Sequence, residues 1–542
     1  MLTINIYIYF CIANNNIYII VCNLFFLASN FKTQFTMKIK LVVFGLLCSL
    51  FSFAQIQDLA KLANGNIIFN STMYDNDENI FGYLYLYEQD VNDKNKNIEF
   101  VFLDKNLNKV SNGTFPAYSY KGVSSRYYDC TLMGDNIILN KYYYYSNSFT
   151  QTSKLLVSTF QTISLSDNKV SAEYKYENAE FVEFTADYET MKSVYKEIDI
   201  RNFVNAFSNE NFKGFFITED NKNKGYLEKE VKLFNDKRNL VWKFEYNPNG
   251  TKKAYNNFHI LYSNKNRIYV STPKWVQEDD GVKTNTEYNI IALDLQTGKK
   301  IYEYVLENKD SEYSHTLRVH QSGNNLILAG NYSPYKKTDF TLNQNLGFYK
   351  IVLDENGKEI EKKYTDWSEF AGKIEIDKKG RVEKNYRLKP VKFFFFKNGT
   401  ISILTEKYKY DILNGSSKTT DFVLFNMTES FVPKSVNTIN KEVSYYSGNY
   451  LFSQYTKDET GAVFFFYEVG KDPNASIFSN SPTLTLAINT LIDDKLTEEK
   501  IQLTAKKKYS IIPYMAKEGY IMLREYNEKD KYNQIRLEKL NY

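Results

Sequence analysis

The chain has 542 residues, of which 24% are charged, and its formal net charge is only +4 at pH 7. Charge therefore gives no reason to expect a nucleic acid or an anionic membrane surface as partner. The high aromatic content, with 46 Tyr and 40 Phe, and a mean hydropathy of −0.46 exclude an intrinsically disordered chain and a polytopic membrane protein. Three His and four Cys leave little material for metal or thiol chemistry.

Residues 1–36 differ in composition from the rest of the chain. They contain one charged residue, Lys32, and are dominated by Ile, Asn, Phe and Tyr. This composition predicts a non-native upstream extension, with Met37 as the true start. The alternative is a membrane helix over Ile17–Ala28, but this stretch is shorter than the ~20 apolar residues that a span needs.

Residues 37–54 have the three parts of a secretory signal peptide. Two lysines form a short positive region and an uncharged, mostly apolar stretch follows them. Ser52 and Ala54 then place small residues where a signal peptidase requires them. The sequence therefore predicts cleavage after Ala54, which leaves a mature chain of residues 55–542.

A lipoprotein signal is the alternative, because Cys48 lies within the apolar stretch. Leu47 directly precedes Cys48, however, whereas a lipoprotein signal has a small residue at that position. Beyond Ala54 no apolar run approaches the length of a membrane span, so we expect no stable span in the mature chain. That chain keeps one cysteine, Cys130, which cannot form an internal disulfide.

Short strand-like segments, rich in β-branched and aromatic residues, dominate residues 55–542, and two turn types alternate among them. In the first type an apolar residue is followed by a polar turn, at Leu103–Asn106, Leu165–Asn168, Phe234–Lys237, Leu293–Lys299, Leu353–Lys358, Phe425–Thr428 and Ile492–Lys495. The second type precedes an apolar strand, at Asn64–Asn66, Gly134–Asn136, Asn211–Gly214, Asn264–Asn266, Gly323–Asn325, Asn398–Thr400, Thr460–Gly461 and Lys517–Gly519.

Two turn types that interleave at one period predict a repeated unit of four strands. Seven or eight such units indicate an all-β fold, a β-propeller of seven or eight four-stranded blades. Tandem β-sandwiches are the alternative, but they need linkers, and residues 55–542 contain no Pro/Gly/Ser-rich stretch. Ala186–Ile198 has a helical period and is expected to be an insertion.

The two ends of residues 55–542 are expected to close the ring together. The C-terminal part offers strands over Tyr509–Tyr514, Tyr520–Tyr526 and Gln534–Leu540 but no fourth strand. Ile56–Leu62 is a spare segment before the first regular strand. We therefore expect it to lie beside the last strands, so that residues 55–542 form a single propeller domain closed by its two termini.

One segment resembles a known repeat. Asn289–Ile301 reads NIIALDLQTGKKI and resembles the outer strands of a quinoprotein-type propeller blade. Tyr302 stands where that family has Trp, and the other turns are generic. The resemblance therefore implies the fold and not quinone binding. Residues 55–542 as a whole resemble uncharacterised secreted proteins of the Bacteroidetes, which implies an exported propeller.

The histidines are His259, His315 and His320. An odd spacing places the last two on opposite faces of a strand, so we expect surface or structural residues and not metal ligands. No common zinc, phosphate-loop or nucleophile-elbow motif occurs. A Ser–His–Asp triad stays open, because its members need not be adjacent. The last 80 or so residues read as strands, which disfavours the α/β domain of a prolyl-peptidase-like enzyme.

Two acidic segments are candidate calcium loops. Asp75–Asn79 has carboxylates at alternate positions, but Ile80 stands where an EF-hand loop needs Gly. Glu278–Gly281 is similar, and both segments are expected to be exposed turns. A glycosidase would need two carboxylates across a cleft, and the sequence nominates no such pair. No catalytic, cofactor-binding or metal-ligating residue is therefore assigned, and no cofactor is expected.

The aromatic runs Tyr142–Tyr145 and Phe393–Phe396 are expected to belong to the core. On a strand alternate members face opposite sides, and both faces of a blade pack against neighbouring blades. The alternative is an aromatic platform on the rim that binds a sugar or a peptide.

These observations favour a secreted or periplasmic, non-enzymatic propeller that binds a protein, peptide or glycan. The alternative is a secreted hydrolase or lyase with its site in the propeller channel. The end of the chain reads as a blade strand and not as a sorting domain, which places the periplasm slightly ahead of full secretion. A protein, peptide or glycan partner is expected, although the sequence does not identify it. No nucleic-acid partner is expected.

The first prediction concerns export. If Met37 initiates the chain and cleavage follows Ala54, the exported protein has Gln55 at its N-terminus. Mass spectrometry of the protein from the envelope and medium fractions should detect that terminus. Peptides from residues 1–36 in the exported protein would contradict the prediction.

Overall fold

The computed structural model describes residues 9–13, 16–20, 56–75, 79–89, 95–118, 123–147, 152–177, 179–185, 204–220, 229–251, 253–277, 283–335, 345–411, 416–444, 449–471, 482–503, 509–527 and 532–541. The chain divides into two compact units, Met1–Ala54 and Gln55–Tyr542. The expected signal peptide at residues 37–54 lies outside the described residues, and so does the expected helix at Ala186–Ile198.

In the first unit two described strands form an antiparallel hairpin. Strand β1, Tyr9–Ala13, pairs with β2, Asn16–Ile20. The expected membrane helix begins within β2, so its first four residues, Ile17 to Ile20, are extended and not helical.

The second unit is an eight-bladed β-propeller built from antiparallel sheets of four or five strands. The sequence prediction of an all-β propeller is thus confirmed, with eight blades, and the tandem-sandwich alternative is excluded. Blade one contains β4 Asn66–Tyr74, β5 Ile80–Gln89, β6 Asn95–Asp104 and β7 Lys109–Tyr118, and blade two contains β8 Ser124–Met133, β9 Asn136–Asn147, β10 Thr152–Ser164, β11 Tyr174–Glu177 and β12 Glu180–Glu183. Blade three contains β13 Val204–Ser208, β14 Lys213–Asp220, β15 Lys229–Asn235 and β16 Leu240–Glu245. Blade four contains β17 Ala254–Asn256, β18 His259–Ser263, β19 Arg267–Gln277, β20 Lys283–Asp294 and β21 Lys300–Glu307.

Blades five to eight follow the same order, and blade eight takes its fourth strand from the start of the unit. Their strands are β22 Tyr313–His315, β23 Arg318–Ser322, β24 Asn325–Pro334, β25 Gly347–Leu353 and β26 Glu359–Asp366; β27 Arg381–Val382, β28 Tyr386–Phe395, β29 Ile401–Asp411, β30 Ser416–Met427 and β31 Pro433–Ile439; β32 Tyr450–Tyr455, β33 Ala462–Lys471, β34 Pro482–Ile492 and β35 Lys495–Gln502; β36 Ser510–Met515, β37 Tyr520–Asn527, β38 Tyr532–Lys539 and β3 Ile56–Asp58.

Four blades depart from four continuous strands, and blade two does so by adding a fifth, outermost strand, β12. The first strand of blade four is broken into β17 and β18, and that of blade five into β22 and β23, both pieces pairing with the same neighbour. Blade six gains the two-residue strand β27. Helical structure in the described unit is confined to α1, Leu59–Leu62, and two 3₁₀ turns, Trp367–Phe370 and Glu383–Asn385.

The connections divide between the two ends of the ring. Antiparallel strands place the first-to-second and third-to-fourth connections of a blade at one end, which we call the turn end. The second-to-third and blade-to-blade connections lie at the other end, the loop end. Both predicted turn types fall at the turn end, with one exception. Asn64–Asn66 leads into β4 from α1, and blade one instead turns at 75–79.

Three of the third-to-fourth turns share one hydrogen-bond pattern, which explains part of the repeat in the sequence. In blade one the Asp104 carboxylate accepts the backbone N–H groups of Asn106 and Asn108, each at 2.8 Å. Asn235 and Asp354 do the same in blades three and five. An acceptor side chain at the first turn position thus replaces strand pairing for two orphan donors.

The core consists of apolar layers between neighbouring blades. Successive residues of a central strand face opposite neighbours, so Ile137 packs toward blade one and Ile138 toward blade three. The run Phe393–Phe396 follows the same rule: Phe393 packs toward blade five, whereas Phe394 and Phe396 pack toward blade seven. Its predicted core role is confirmed.

Outer strands of one blade also hold the turn of the next. The indole N–H of Trp242, on the outer strand of blade three, donates to the Leu295 carbonyl at 2.8 Å. A Cβ at Gly298 would lie 2.6 Å from the same indole ring. Gly298 also has a φ of +67°, so both the turn and the contact require glycine.

Blade eight contains both ends of the described unit. Ile56, Gln57 and Asp58 pair antiparallel with Arg536, Ile535 and Gln534, so β3 is the outermost strand of a sheet whose other three strands are the last in the chain. The Asp58 carboxylate caps α1, and the Tyr87 hydroxyl of blade one donates to the Leu59 carbonyl at 2.8 Å. The N-terminal segment therefore contacts blade eight and blade one together.

We expect the closure to stabilise the whole ring. Ile535 is fully buried between blades eight and one, and Ile→Ala substitutions at such sites cost about 2–5 kcal/mol. Ile535→Ala, and deletion of residues 532–542, should each lower the midpoint of a single cooperative thermal transition measured by circular dichroism. Ile360→Ala is the matched control, because Ile360 is 53% exposed on an outer strand. An unchanged midpoint in the deletion variant would contradict the closure.

Candidate functional site: the inner strands and the tyrosine ladder of blade two

The first strand of each blade lies nearest the axis of the ring. Strand β4 contacts β8, β8 contacts β13, and β18 contacts β23, although each belongs to a different blade. First strands can meet only where the blades converge. We call them the inner strands, and their exposed side chains reach solvent at the central channel or its mouths.

All three histidines lie on inner strands of two neighbouring blades. His259 is exposed on β18 of blade four. On blade five, His320 stacks on Phe395 of blade six, with ring centroids 4.7 Å apart, whereas His315 faces blade four. The prediction that His315 and His320 face opposite sides is confirmed.

His315 belongs to a buried polar cluster near the loop end between blades four and five. Its side chain is 3% exposed and that of Glu307 5%. Its Nδ1 lies 3.2 Å from the Glu307 carboxylate, which also accepts the His315 backbone N–H, and its Nε2 lies 2.9 Å from the Tyr364 hydroxyl. Because an ionised carboxylate only accepts, Nδ1 carries the proton and Nε2 accepts from the tyrosine.

Tyrosines surround this cluster and hold their protons strongly. Burial, assisted by Glu359, raises the pKa of Tyr364 to about 12. Burial and hydrogen bonds to carboxylates also raise the pKa of Tyr332, which donates to Asp366, and of Tyr304, which donates to Glu359 at 2.7 Å. The cluster is satisfied internally and ties the two blades together.

A second buried polar cluster lies between blades one and two. Lys141 Nζ lies 3.4 Å from Glu173 Oε2, with 2% and 3% of the two side chains exposed. Tyr143 donates to the same carboxylate at 3.0 Å, and so does the Thr159 hydroxyl. Burial lowers the pKa of the Lys141 ammonium, and Glu173 opposes this shift. With every oxygen of Glu173 occupied, the pair serves packing and not chemistry.

The opposite face of β9 carries a half-buried aromatic row, which we call the tyrosine ladder. It consists of Tyr128, Tyr142 and Tyr144, with ring centroids 5.4 and 5.6 Å apart in that order. The alternation of β9 turns Tyr142 and Tyr144 toward blade three, whereas Tyr143 of the same run is fully buried. The predicted core role of Tyr142–Tyr145 thus holds for Tyr143, while Tyr145 is exposed.

Polar groups lie beside the ladder. Asn140 precedes Tyr142 on the same face, is 2% exposed, and has a buried Oδ1 without a hydrogen-bond donor in the described structure. Asp129 lies opposite Asn140 on β8. Burial raises the pKa of the Asp129 carboxyl, against the lowering effect of the Cys130 N–H and the Asn140 amide. An unfilled acceptor beside aromatic rings is typical of a binding surface.

The other candidate residues from the sequence do not form a functional site with the residues around them in the described structure. In the calcium candidate, Asp75 and Asn79 close the first turn of blade one on each other, at 2.9 Å. Glu278–Gly281 lies outside the described residues. Cys130 is buried 3.0 Å from the sulfur of Met73, and burial raises its pKa to about 12. Among the residues that the structure describes, no three potential ligands are close enough to hold a metal ion.

Sequence reasoning missed the partners of the candidate residues. Glu307 and Tyr364 come from the ends of outer strands of two different blades, and no local pattern marks them. Tyr128 could have been found, because it lies one strand before the run at Tyr142, across the turn predicted at Gly134–Asn136. The described helices are too short or too polar for a bilayer crossing.

The chain belongs to a family of unknown function (DUF6770), whose sequence profile matches residues 37–541. No curated protein matches it. Among solved structures it is similar to prolyl oligopeptidase B from Galerina marginata, with 8% identity over 85% of this chain and 55% of that chain at a TM-score of 0.36. The acylaminoacyl peptidase of Pyrococcus horikoshii has 10% identity over 85% of this chain and 58% of that one, at 0.31.

The Nup133 β-propeller domain of Vanderwaltozyma polyspora is similar over 76% of this chain and 100% of that chain, with 8% identity and a TM-score of 0.31. The chain spans little more than half the length of the two peptidases. Similarities at this level carry no functional argument.

The tyrosine cluster makes stability fall at alkaline pH. Tyrosine ionises near pH 10 in the unfolded chain, whereas Tyr364 keeps its proton to about pH 12 when folded. Above pH 10 the unfolded state therefore binds fewer protons than the folded state, and the free energy of unfolding decreases as pH rises. We expect unfolding and the ultraviolet absorbance of tyrosinate to appear together between about pH 10 and about pH 12.

Tyr364→Phe should make this alkaline loss of stability shallower, because it removes one strongly shifted group. Its control is Tyr410→Phe, since Tyr410 is 59% exposed. Gradual ionisation of most tyrosines with intact circular dichroism would contradict the prediction.

Proposed function

We propose that this protein is an exported, non-enzymatic propeller that binds a protein, peptide or glycan on the loop-end surface of blade two. The observation that carries the proposal is the tyrosine ladder beside the unfilled acceptor of Asn140. Tyrosine rings offer a large apolar area at a low cost in side-chain entropy, and they present a hydroxyl at their edge. They suit sugar rings and peptide side chains alike.

Neighbouring polar groups would orient a ligand on this surface. Ser158 lies opposite Tyr142 on β10 and is hydrogen-bonded to Tyr128, whose pKa burial raises. Asn140 and Asp129 add an amide and a carboxyl on the same side. The Asn140 oxygen itself is buried, so the half-buried tyrosines and the exposed Asp129 carboxyl are the groups that a ligand would contact.

Export rests on the signal peptide expected at residues 37–54. In this proposal the propeller functions in the periplasm or outside the cell, and its likeness to secreted Bacteroidetes proteins agrees with that place. The propeller starts at β3 two residues after the expected cleavage site, so removal of the signal peptide would leave the ring intact.

A secreted hydrolase or lyase is the second candidate, and one contact favours it. His315 is hydrogen-bonded to Glu307, the arrangement of a general base and the carboxylate that orients it. Its Nε2, however, is occupied by Tyr364, and the side chains of both His315 and Glu307 are buried. Catalysis would require the tyrosine to move aside.

The test uses residues 55–542 and two defined probe sets, an immobilised oligosaccharide panel and a library of synthetic heptapeptides. The expected result is retention of one class of probe, with affinity about tenfold weaker in Tyr142→Ala and Tyr144→Ala, since aromatic contacts are worth about 0.5–1.5 kcal/mol each. Tyr410→Ala is the control, because it removes an exposed tyrosine of blade six.

Two outcomes would overturn the proposal. One is retention that the ladder variants leave unchanged, and the other is no retention at all. If mass spectrometry shows that a retained probe is cleaved, and His315→Phe abolishes cleavage but not binding, the hydrolase or lyase alternative is correct.

A further inference from the structure

The inner strands carry charge of one sign. Although the chain as a whole is nearly balanced, their only carboxylate in the described structure is Asp129 on blade two. Their cations are Arg126 on β8, Arg318 on β23, and Arg387, Lys389 and Lys392 on β28. The outer strands are different, because Glu and Asp are as frequent there as Lys. Positive charge is thus concentrated toward the axis.

Three of these inner residues form an arc at one height. His259, Arg318 and Lys389 lie on the inner strands of consecutive blades, and all three are exposed. Each of the three pairs with a residue on the second strand of its own blade. The three pairing positions lie at the same distance from the turn end to within one residue, or about 3.3 Å. The pairing residues are Ser271 for His259, Ala329 for Arg318 and Glu406 for Lys389.

The charges of this arc are not neutralised by the residues around them. In the described structure Lys389 makes no ion pair, and the one hydrogen bond of Arg318 is to the neighbouring Leu317 carbonyl. Glu406, opposite Lys389, is buried and already engaged by Lys441, whose Nζ lies 2.9 Å away. A concave surface with unopposed charge of one sign attracts ligands of the other sign.

The backbone of the same strands offers a second kind of contact. Strands β18 and β23 are hydrogen-bonded to a neighbouring strand on one side only. Strand β28 has the same free edge at Lys389, because β27 pairs only with the first residues of β28. Their free edges face the channel. An extended peptide pairs with such an edge through its own N–H and C=O groups, whereas a sugar has no matching ladder.

We propose that the channel wall of blades four to six binds an acidic peptide in extended conformation. Its carboxylates would contact Arg318 and Lys389, with His259 at the end of the arc, and its backbone would pair with the inner edge of a blade. This site uses other residues than the tyrosine ladder and goes beyond the proposed function, which does not require it.

The test measures binding of deca-L-glutamate to residues 55–542 by fluorescence anisotropy at low salt. We expect binding that weakens as salt rises, and that becomes at least about tenfold weaker in the charge-reversed double variant Arg318→Glu, Lys389→Glu. The matched control is Lys495→Glu, which reverses an exposed, unpaired cation on the outer strand of blade seven and should leave the affinity unchanged.

Two further probes separate the alternatives. Deca-L-glutamine should not bind, because it lacks carboxylates. Oligogalacturonate carries carboxylates on a sugar chain, so its binding in place of deca-L-glutamate, with the same loss in the double variant, would overturn the peptide assignment. Equal weakening by Lys495→Glu, or no binding of deca-L-glutamate, would also overturn it and leave the cations as protection of free strand edges.

Circular dichroism and the thermal midpoint verify that the double variant is folded, and the ladder variants Tyr142→Ala and Tyr144→Ala serve as a second control. We expect them to bind deca-L-glutamate normally, so failure of the ladder proposal leaves this one intact. Loss of deca-L-glutamate binding in folded ladder variants would place the anionic ligand on blade two and contradict the arc.

Discussion

The ring depends on one contact that repeats from blade one to blade seven, in which the outer strand of a blade holds the third-to-fourth turn of the next blade. The chemistry of this contact changes around the ring while its place is kept. Blade by blade, the pairs include Ser111 with Asn168, Tyr174 with Arg238, Trp242 with Leu295, Tyr302 with Gly357, Thr365 with Phe431 and Lys434 with Asp494. Because the outer strand and the next turn meet at the same place in each pair, a hydroxyl, a ring or an ion pair can each make the contact.

This arrangement leaves the two ends of the propeller with different tasks. The turn end is committed to short hydrogen-bonded turns and to contacts between blades. The loop end and the inner strands are not needed for these turns and contacts. The tyrosine ladder, the histidines and the cationic arc all lie there. Both proposed binding surfaces follow from this division, one on the loop end of blade two and one on the channel wall.

Much of the fold could be predicted from the sequence, because the turns carry local signals. Asp or Asn near the start of the turn repeats in register with the strands, which allowed the blades to be counted. The left-handed position is a weaker signal, because it is Gly298 or Gly357 in some blades but Leu107, Arg238 or Phe431 in others. A strand count at the C-terminus gave the same arrangement of blade eight that the pairing of β3 with β38 shows. The broken inner strands, by contrast, have no local marker in the sequence.

The sites were far less predictable. His315 was visible in the sequence, but its partners Glu307 and Tyr364 lie at the ends of strands from two blades, and only the closed ring brings them together. The cationic arc is defined by where its residues lie in the fold and not by their spacing in the sequence. Nothing in the sequence distinguishes Arg318 and Lys389 from other cations until each is known to lie on an inner strand. For Tyr142–Tyr145 the alternation was predicted, but which tyrosines pack and which stay half exposed depends on how closely the neighbouring blades cover each face.

Blade eight also imposes an order on folding. Its outer strand, β3, is synthesised before every other part of the propeller, yet its partner β38 is the last strand to be made. This pairing has the greatest sequence separation in the fold, and contacts of high contact order form slowly because the entropy of loop closure must be overcome first. During synthesis the early blades can form one by one, but a sheet edge and an apolar blade face stay open until the C-terminal strands arrive. The nascent chain is therefore exposed to aggregation for the whole time of its synthesis, and ring closure is the event that ends this exposure.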